Sequence, residues 1–233
     1  DPAADRTERV DIRVPAHRTQ RTRRFVAAAD YLQGFSLHPD GHSIAVEARG
    51  KPFTMGLWEG AVTQWGEDDG RRRHGQWLAD GTTFVVDSDA SGEERLEVHR
   101  GGTVRTLPWD IGRVVAMAAA PVGTKVAIAN HRNEVLVGDV ESGECHVVDR
   151  SDHGRTDEIA WSPDGAWLAY PAWVSARHTS IKLLDAATRT ATLVTQPEFR
   201  DYSPAFDPAG KYLYFLSVRT FDPVYDAVQF ELS

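Results

Sequence analysis

Five segments of the 233-residue chain superpose on one another, and this repeat constrains the fold more than any other feature. They are Gly34–Gly50, Gly75–Asp89, Val115–Asn130, Glu158–Trp173 and Ser203–Leu216. Each reads as a short apolar run, a turn ending in glycine, and a second apolar or alternating run. The turn glycines are Gly41, Gly81, Gly123, Gly165 and Gly210, spaced by 40, 42, 42 and 45 residues. Proline presets φ at the second position of a turn, aspartate bonds its own backbone, and glycine accepts a positive φ. Pro39-Asp40-Gly41 and Pro163-Asp164-Gly165 carry all three residues. Pro121-Val122-Gly123 and Pro208-Ala209-Gly210 lack the aspartate, and Ala79-Asp80-Gly81 lacks the proline.

Between successive turns lie two further strand-like runs. After Gly81 these are Leu96–Val98 and Val104–Leu107; after Gly123, Val135–Val140 and His146–Val148; after Gly165, Ser180–Leu184 and Ala191–Val194. Four short antiparallel strands per period of about 42 residues is the blade of a β-propeller. The sequence therefore predicts an all-β chain, a single propeller region over residues 1–233. Its repeats fall at approximately 31–70, 71–112, 113–154, 155–199 and 200–233. One blade cannot bury both faces of its sheet, so neighbours must stack around an axis. Trp77, Trp161, Trp167 and Trp173 are expected to fill the space between blades, with an aromatic ligand cage as the minority reading. The alternating run Arg9–Val14 reads as one outer strand. It either pairs beside Val228–Leu232 to close a five-bladed ring or finishes a preceding blade of a larger one.

Composition narrows the function. With 41% hydrophobic and 26% charged residues the chain is ordinary globular protein, not a disordered one. A net charge of −8 argues against nucleic acid as a whole-molecule partner. No apolar run reaches the roughly 18 residues of a spanning helix, and the first thirty residues hold no signal-like segment, so no membrane association is expected. The single cysteine, Cys145, makes neither an internal disulfide nor a metal site. A cytoplasmic protein without metal or other cofactor is the expectation.

The motifs Phe35-Ser-Leu-His-Pro-Asp-Gly41 and Ile159-Ala-Trp-Ser-Pro-Asp-Gly165 resemble the propeller repeats of TolB-type proteins. Two longer stretches, Tyr31–Gly50 and Gly210–Ser233, resemble the second, seven-bladed propeller of the tricorn protease family. Within the latter, Arg219-Thr-Phe-Asp-Pro-Val-Tyr-Asp226 is the most specific piece. The resemblance implies a cytosolic serine peptidase that assembles as a hexamer and cuts peptides. In that family the propellers carry no catalytic residues, and the nucleophilic serine and its histidine lie in later domains beyond a PDZ-like module. The chain is then expected to be about five and a half blades of a seven-bladed ring, at about 42 residues per blade. Its role would be channelling peptides to or from the chamber built by the remaining domains of the parent. The alternatives are a stand-alone TolB-like propeller that binds a protein or peptide partner, and a propeller enzyme whose residues converge on the axis.

The candidate site comes from aligning the repeats on their turn glycine. Arg71, Arg113, Arg155 and Arg200 all stand ten residues upstream of it, where the first repeat has Tyr31. That position is the start of each blade's innermost strand, so the four side chains would ring one mouth of a channel. Forked guanidinium donors suit a peptide's terminal carboxylate. The bland reading is four solvated loop arginines. Asp87–Gly92 begins like a calcium loop, but the position that needs a bidentate glutamate is Val98, so a hairpin turn is expected. Arg71–His74 and Arg21–Arg24 could serve as anion patches, but such runs are more often solvated loops, and that is the expectation. No nucleophile elbow, phosphate loop or metal-spaced histidine pair occurs, so no catalytic residues are assigned.

Overall fold

The computed structural model describes Ile12, Pro15, His17, residues 25–66 and residues 69–219. Both Arg9–Val14 and Val228–Leu232, and with them the pairing that would close a ring, lie outside the described residues apart from Ile12, as does Arg21–Arg24. The chain divides into two compact units, Asp1–Asp30 and Tyr31–Ser233. In the first, the Asp30 amide donates to the Ala27 carbonyl at the start of a 3-10 turn. All the strands belong to the second, and no α-helix occurs among the described residues.

The first blade is β1 (Leu32–Leu37), β2 (Ser43–Ala48), β3 (Lys51–Gly56) and β4 (Thr63–Gln64), paired antiparallel in that order. The second is β5 (Arg72–Trp77), β6 (Thr83–Ser88), β7 (Arg95–Arg100) and β8 (Thr103–Thr106). The third is β9 (Val114–Ala119), β10 (Lys125–Asn130), β11 (Glu134–Asp139) and β12 (Cys145–Arg150). The fourth is β13 (Ala160–Trp161), β14 (Trp167–Trp173), β15 (Thr179–Asp185) and β16 (Thr190–Leu193), followed by the hairpin β17 (Arg200–Phe206) and β18 (Leu213–Val218). The all-β propeller of antiparallel blades is thus the observed architecture. One departure is a parallel contact, Thr179 to Arg200, which joins the fourth blade to the β17–β18 hairpin in one sheet. The first strand of each blade packs against the first strand of the next, from β1 through β5, β9 and β13 to β17.

Turn chemistry fixes each blade's first hairpin. The five glycines have φ of 73°, 64°, 76°, 68° and 70°, a region that a side chain disfavours. In every repeat the residue three before the glycine donates its amide to the carbonyl two after it, for example His38 to Ser43 and Leu78 to Thr83, both at 2.9 Å. Where aspartate is present it caps the turn: Asp40 accepts from the His42 amide, Asp80 from Thr82 and Thr83, and Asp164 from Ala166. The fifth turn lacks that aspartate, and Asp207 takes the role by accepting from Ala209 and Tyr212. Adjacent turns also touch, since the His38 ring bonds the Gly81 carbonyl at 2.6 Å.

The core lies between blades. Leu78, Leu96, Ile111 and Ile128 are buried together between the second and third, and Leu168, Tyr170 and Leu184 between the third and fourth. Phe84 stacks on Trp65 at 5.1 Å and meets Trp77 edge-on at 5.0 Å, joining the first blade to the second. Trp161 is buried as expected, and its indole donates to the Ala118 carbonyl of the preceding blade. Trp167 does not fill the core: it is 39% exposed, because the first residue of β14 lies at the sheet margin.

Carboxylates bridge each boundary. Glu47 accepts from the Gly75 amide of the second blade at 2.6 Å, and Glu94 from the Val114 amide of the third at 2.6 Å. Asp149 accepts from Tyr170 and Lys182 of the fourth, at 2.9 and 2.7 Å. Glu158 accepts from the amide and the hydroxyl of Ser203 in the fifth hairpin. Gly75 and Ser203 lie at β-bulges, where the ladder leaves an amide without its usual partner. Glu47→Ala, which strands a buried amide, is expected to cost about 1–3 kcal/mol, and Asp40→Ala at an exposed turn clearly less. Urea unfolding of both variants checks the difference.

Candidate functional site

Each predicted arginine stands at the end of its blade opposite the glycine turn. A six-residue strand such as β5 separates the two ends by roughly 20 Å. The residue eighteen positions further on, at the end of the second strand or just after it, lies beside each one. Arg71 donates its amide to Asp89 at 2.7 Å, and Arg113 donates its amide to the His131 ring at 2.9 Å. The Trp173 indole donates to the Arg155 carbonyl at 3.1 Å, and Arg200 pairs with Val218 across the hairpin. The first repeat inverts the pattern, with Arg49 over the ring of Tyr31 at 5.3 Å. The geometry is a fixed register, repeated five times, that brings a basic side chain to one end of every inner hairpin.

All four arginines are exposed, and their surroundings differ. Arg71 faces the Asp89 carboxylate at 3.7 Å, and its stem lies over Gly50, where a Cβ would come within 2.4 Å of it. Arg155 and Arg200 are brought together: both line one cleft of about 340 Å³ between the fourth blade and the fifth hairpin. Trp173 and Tyr202 line it too, with Asp157 and His153. Arg200 sits over the Trp173 ring, 5.6 Å from its centroid. Arg71 and Arg113 do not border this cleft. A smaller cleft of about 240 Å³ between the third and fourth blades carries Lys125, Asp139, His146 and Arg189.

The Arg71–His74 run is not a solvated loop. Only Arg71 is exposed; the rest form the inner strand of the second blade and are tied inward. Arg72, 3% exposed, makes a two-pronged pair with Glu97 at 2.7 and 3.0 Å, and His99 adds a third bond to the same carboxylate at 3.0 Å. Arg73 pairs with Glu94 at 3.0 Å. His74, at a φ of 52°, binds the buried carboxylate of Asp87 at 2.7 Å. Burial works against the imidazolium, but the hydrogen bond and charge of Asp87 leave its pKa raised above 6.5. Asp87, the first residue of the calcium-like stretch, is therefore committed to His74, and the Asp89–Gly92 segment is a turn in which the Gly92 amide donates to the Asp89 carbonyl at 2.9 Å. Burial pushes the Cys145 thiol up to about 11, so it is a neutral thiol at physiological pH.

Sequence reasoning missed the Arg72–Glu97–His99 network and the aromatic lining of the cleft. The first left a signal only in β7, where Glu97 and His99 alternate with the apolar Leu96 and Val98. The second was legible only once the eighteen-residue register was known, because it places Trp173 beside Arg155.

These blades, with their shared inner register, define a β-propeller domain of the stacked-hairpin kind. The sequence profile of the tricorn protease second β-propeller domain matches residues 32–233, and the chain belongs to that family. It is 32% identical to a tricorn protease homolog of Saccharolobus solfataricus, over 100% of this chain and 21% of that protein. It is 35% identical to tricorn protease homolog 1 of Streptomyces coelicolor, over 97% of this chain and 22% of that one. The crystal structure of the tricorn protease superposes with a TM-score of 0.74 at 26% identity, covering 87% of this chain and 20% of that chain. The chain thus spans about a fifth of the length of these relatives.

Burial raises the Glu97 carboxyl, but hydrogen bonds from His99, Arg72 and Ser88 outweigh it and lower its pKa from 4.5 to about 2. A depressed pKa stabilises the fold above the unfolded value, and this contribution fades as pH falls from 4.5 towards 2. Glu97→Gln is expected to cost about 3 kcal/mol at neutral pH by breaking the buried two-pronged pair with Arg72. The gap from the native chain should narrow steadily below pH 4.5 in urea unfolding curves, reflecting the Glu97 titration.

Proposed function

We propose that the chain is a non-catalytic propeller of a tricorn-like serine peptidase, and that it passes peptides along its axis to or from a proteolytic chamber built by the remaining domains. The observation that carries this reading is the register of exposed arginines, Arg71, Arg113, Arg155 and Arg200, at the same end of four successive inner hairpins. A basic collar there would draw in peptides by their terminal carboxylates and raise the rate of encounter. Family membership supplies the peptidase context. On the same reading the parent is a cytoplasmic homo-oligomer, a hexamer, whose chemistry needs no cofactor from this region.

Exposed apolar faces at both flanks support a larger ring. On the first blade, Phe35 and Leu37 are 68% and 60% exposed; on the last hairpin, Tyr214 and Leu216 are 58% and 55% exposed. Inner blades bury such faces against a neighbour, so further blades of the parent are the natural cover.

The test uses the intact parent assembly. Arg71→Glu with Arg113→Glu should lower kcat/KM for peptide substrates by about tenfold at low salt, and the loss should shrink as salt rises. Unaltered turnover in that double variant overturns the collar.

A further inference from the structure

We propose that the cleft between the fourth blade and the fifth hairpin binds the C-terminal residue of a peptide, its carboxylate held by Arg155 and Arg200 and its side chain set between Trp173 and Tyr202. This deepens the channel reading and rests on it for the source of the peptide.

Three features make this cleft a built site. Its indole is fixed in place: Trp173 Nε1 donates to the Arg155 carbonyl at 3.1 Å, and its own carbonyl accepts from the Ser151 hydroxyl at 2.8 Å. Gly154 lies flat against the ring, where a Cβ would come within 2.8 Å, so a glycine here lets the backbone approach the indole. Recognition by a ring already held costs little ordering on binding. Arg155, in the loop before β13, and Arg200, the first residue of β17, border one cavity of about 340 Å³, large enough for one residue side chain.

The lining chemistry selects the ligand. Arg155 and Arg200 face a single carboxylate, Asp157, so the charge balance suits a monoanion better than a phosphate dianion. A forked guanidinium matches the two oxygens of a carboxylate. The Tyr202 ring, 39% exposed, and the Trp173 indole beneath Arg200 favour an apolar or aromatic group next to that carboxylate. A carboxylate beside an aromatic or apolar chain is the C-terminus of a peptide or a free amino acid. The channel reading selects the peptide.

The experiment follows the indole N–H signal of Trp173, assigned with Trp173→Phe, during titrations of the full chain. The probe is acetyl-Ala-Ala-Phe with a free carboxylate. Its C-terminal amide, free phenylalanine and adenosine monophosphate serve as comparisons. The peptide acid should give a saturable shift, with the amide about tenfold weaker and Arg155→Gln/Arg200→Gln weakening the acid by about tenfold or more. Equal binding of acid and amide, or full affinity in the double variant, overturns the site. Tighter binding of free phenylalanine or of the nucleotide overturns the peptide assignment. If the double variant does not fold, the acid–amide comparison on the native chain decides. Arg71→Glu/Arg113→Glu leaves the cleft residues in place, so its Trp173 titration should match the native chain whether or not throughput changes. Failure of the collar and failure of the cleft are therefore separable.

Discussion

The carboxylate at each blade boundary is the interaction on which the rest of this fold depends. A twisted four-stranded sheet with two apolar faces is unstable alone, and face-to-face stacking supplies the burial but little orientation. Glu47, Glu94, Asp149 and Glu158 supply the orientation, because each reaches polar hydrogens of the following blade. Two of these partners, Gly75 and Ser203, are bulge residues. The bulge would strand an amide in a half-buried setting, and the neighbour's carboxylate satisfies it. A local defect in one sheet is thus completed only by the next sheet. Side chains of opposite polarity then fall into place: the apolar ones interdigitate, and the Arg72–Glu97–His99 cluster sits satisfied in a region that would otherwise be costly for charge.

Turn chemistry and inner-strand geometry act at opposite ends of the blade. Glycine turns, closed by the same amide-to-carbonyl bond in all five repeats, stack at one end and set where each inner hairpin begins. The residue ten positions before each glycine must then emerge at the other end. Loops and strand ends carry exposed groups more freely than a packed ladder, so recognition chemistry concentrates there. The pairing of each such residue with one eighteen positions later follows from hairpin length, and it is why Tyr31 and Arg49 exchange roles without disturbing the blade.

The all-β propeller was legible in the sequence because its signals are local: a turn glycine every 40 to 45 residues, flanked by runs of strand length. The strands after Gly81, Gly123 and Gly165 stand within a residue or two of where their apolar runs place them. What resisted reading is what strands distant in sequence create together, within a blade or between blades. Arg72 looks like a solvated arginine in a basic run, and only the buried Glu97 beside it makes it a core residue. Trp167 and Trp173 look alike as strand tryptophans, yet one sits at a sheet margin and the other in a cleft formed with the next hairpin. The parallel contact of Thr179 with Arg200 has no counterpart in local pattern, since it depends on where the fifth hairpin docks.

Net charge proves a poor guide to the field that a ligand would meet. The chain is acidic, at −8, yet several of its carboxylates are consumed inside the fold. Glu47 and Glu97 are 8% and 5% exposed, with partners already bound, and Asp87 is committed to His74. The four arginines at the ends of the inner hairpins remain exposed. Potential at a surface is set by the nearest unscreened groups within about 8–10 Å, not by the sum over the molecule. The boundary carboxylates that orient the blades are therefore not free to neutralise the exposed arginines, whose acidic neighbours are instead Asp89 beside Arg71 and Asp157 in the cleft with Arg155.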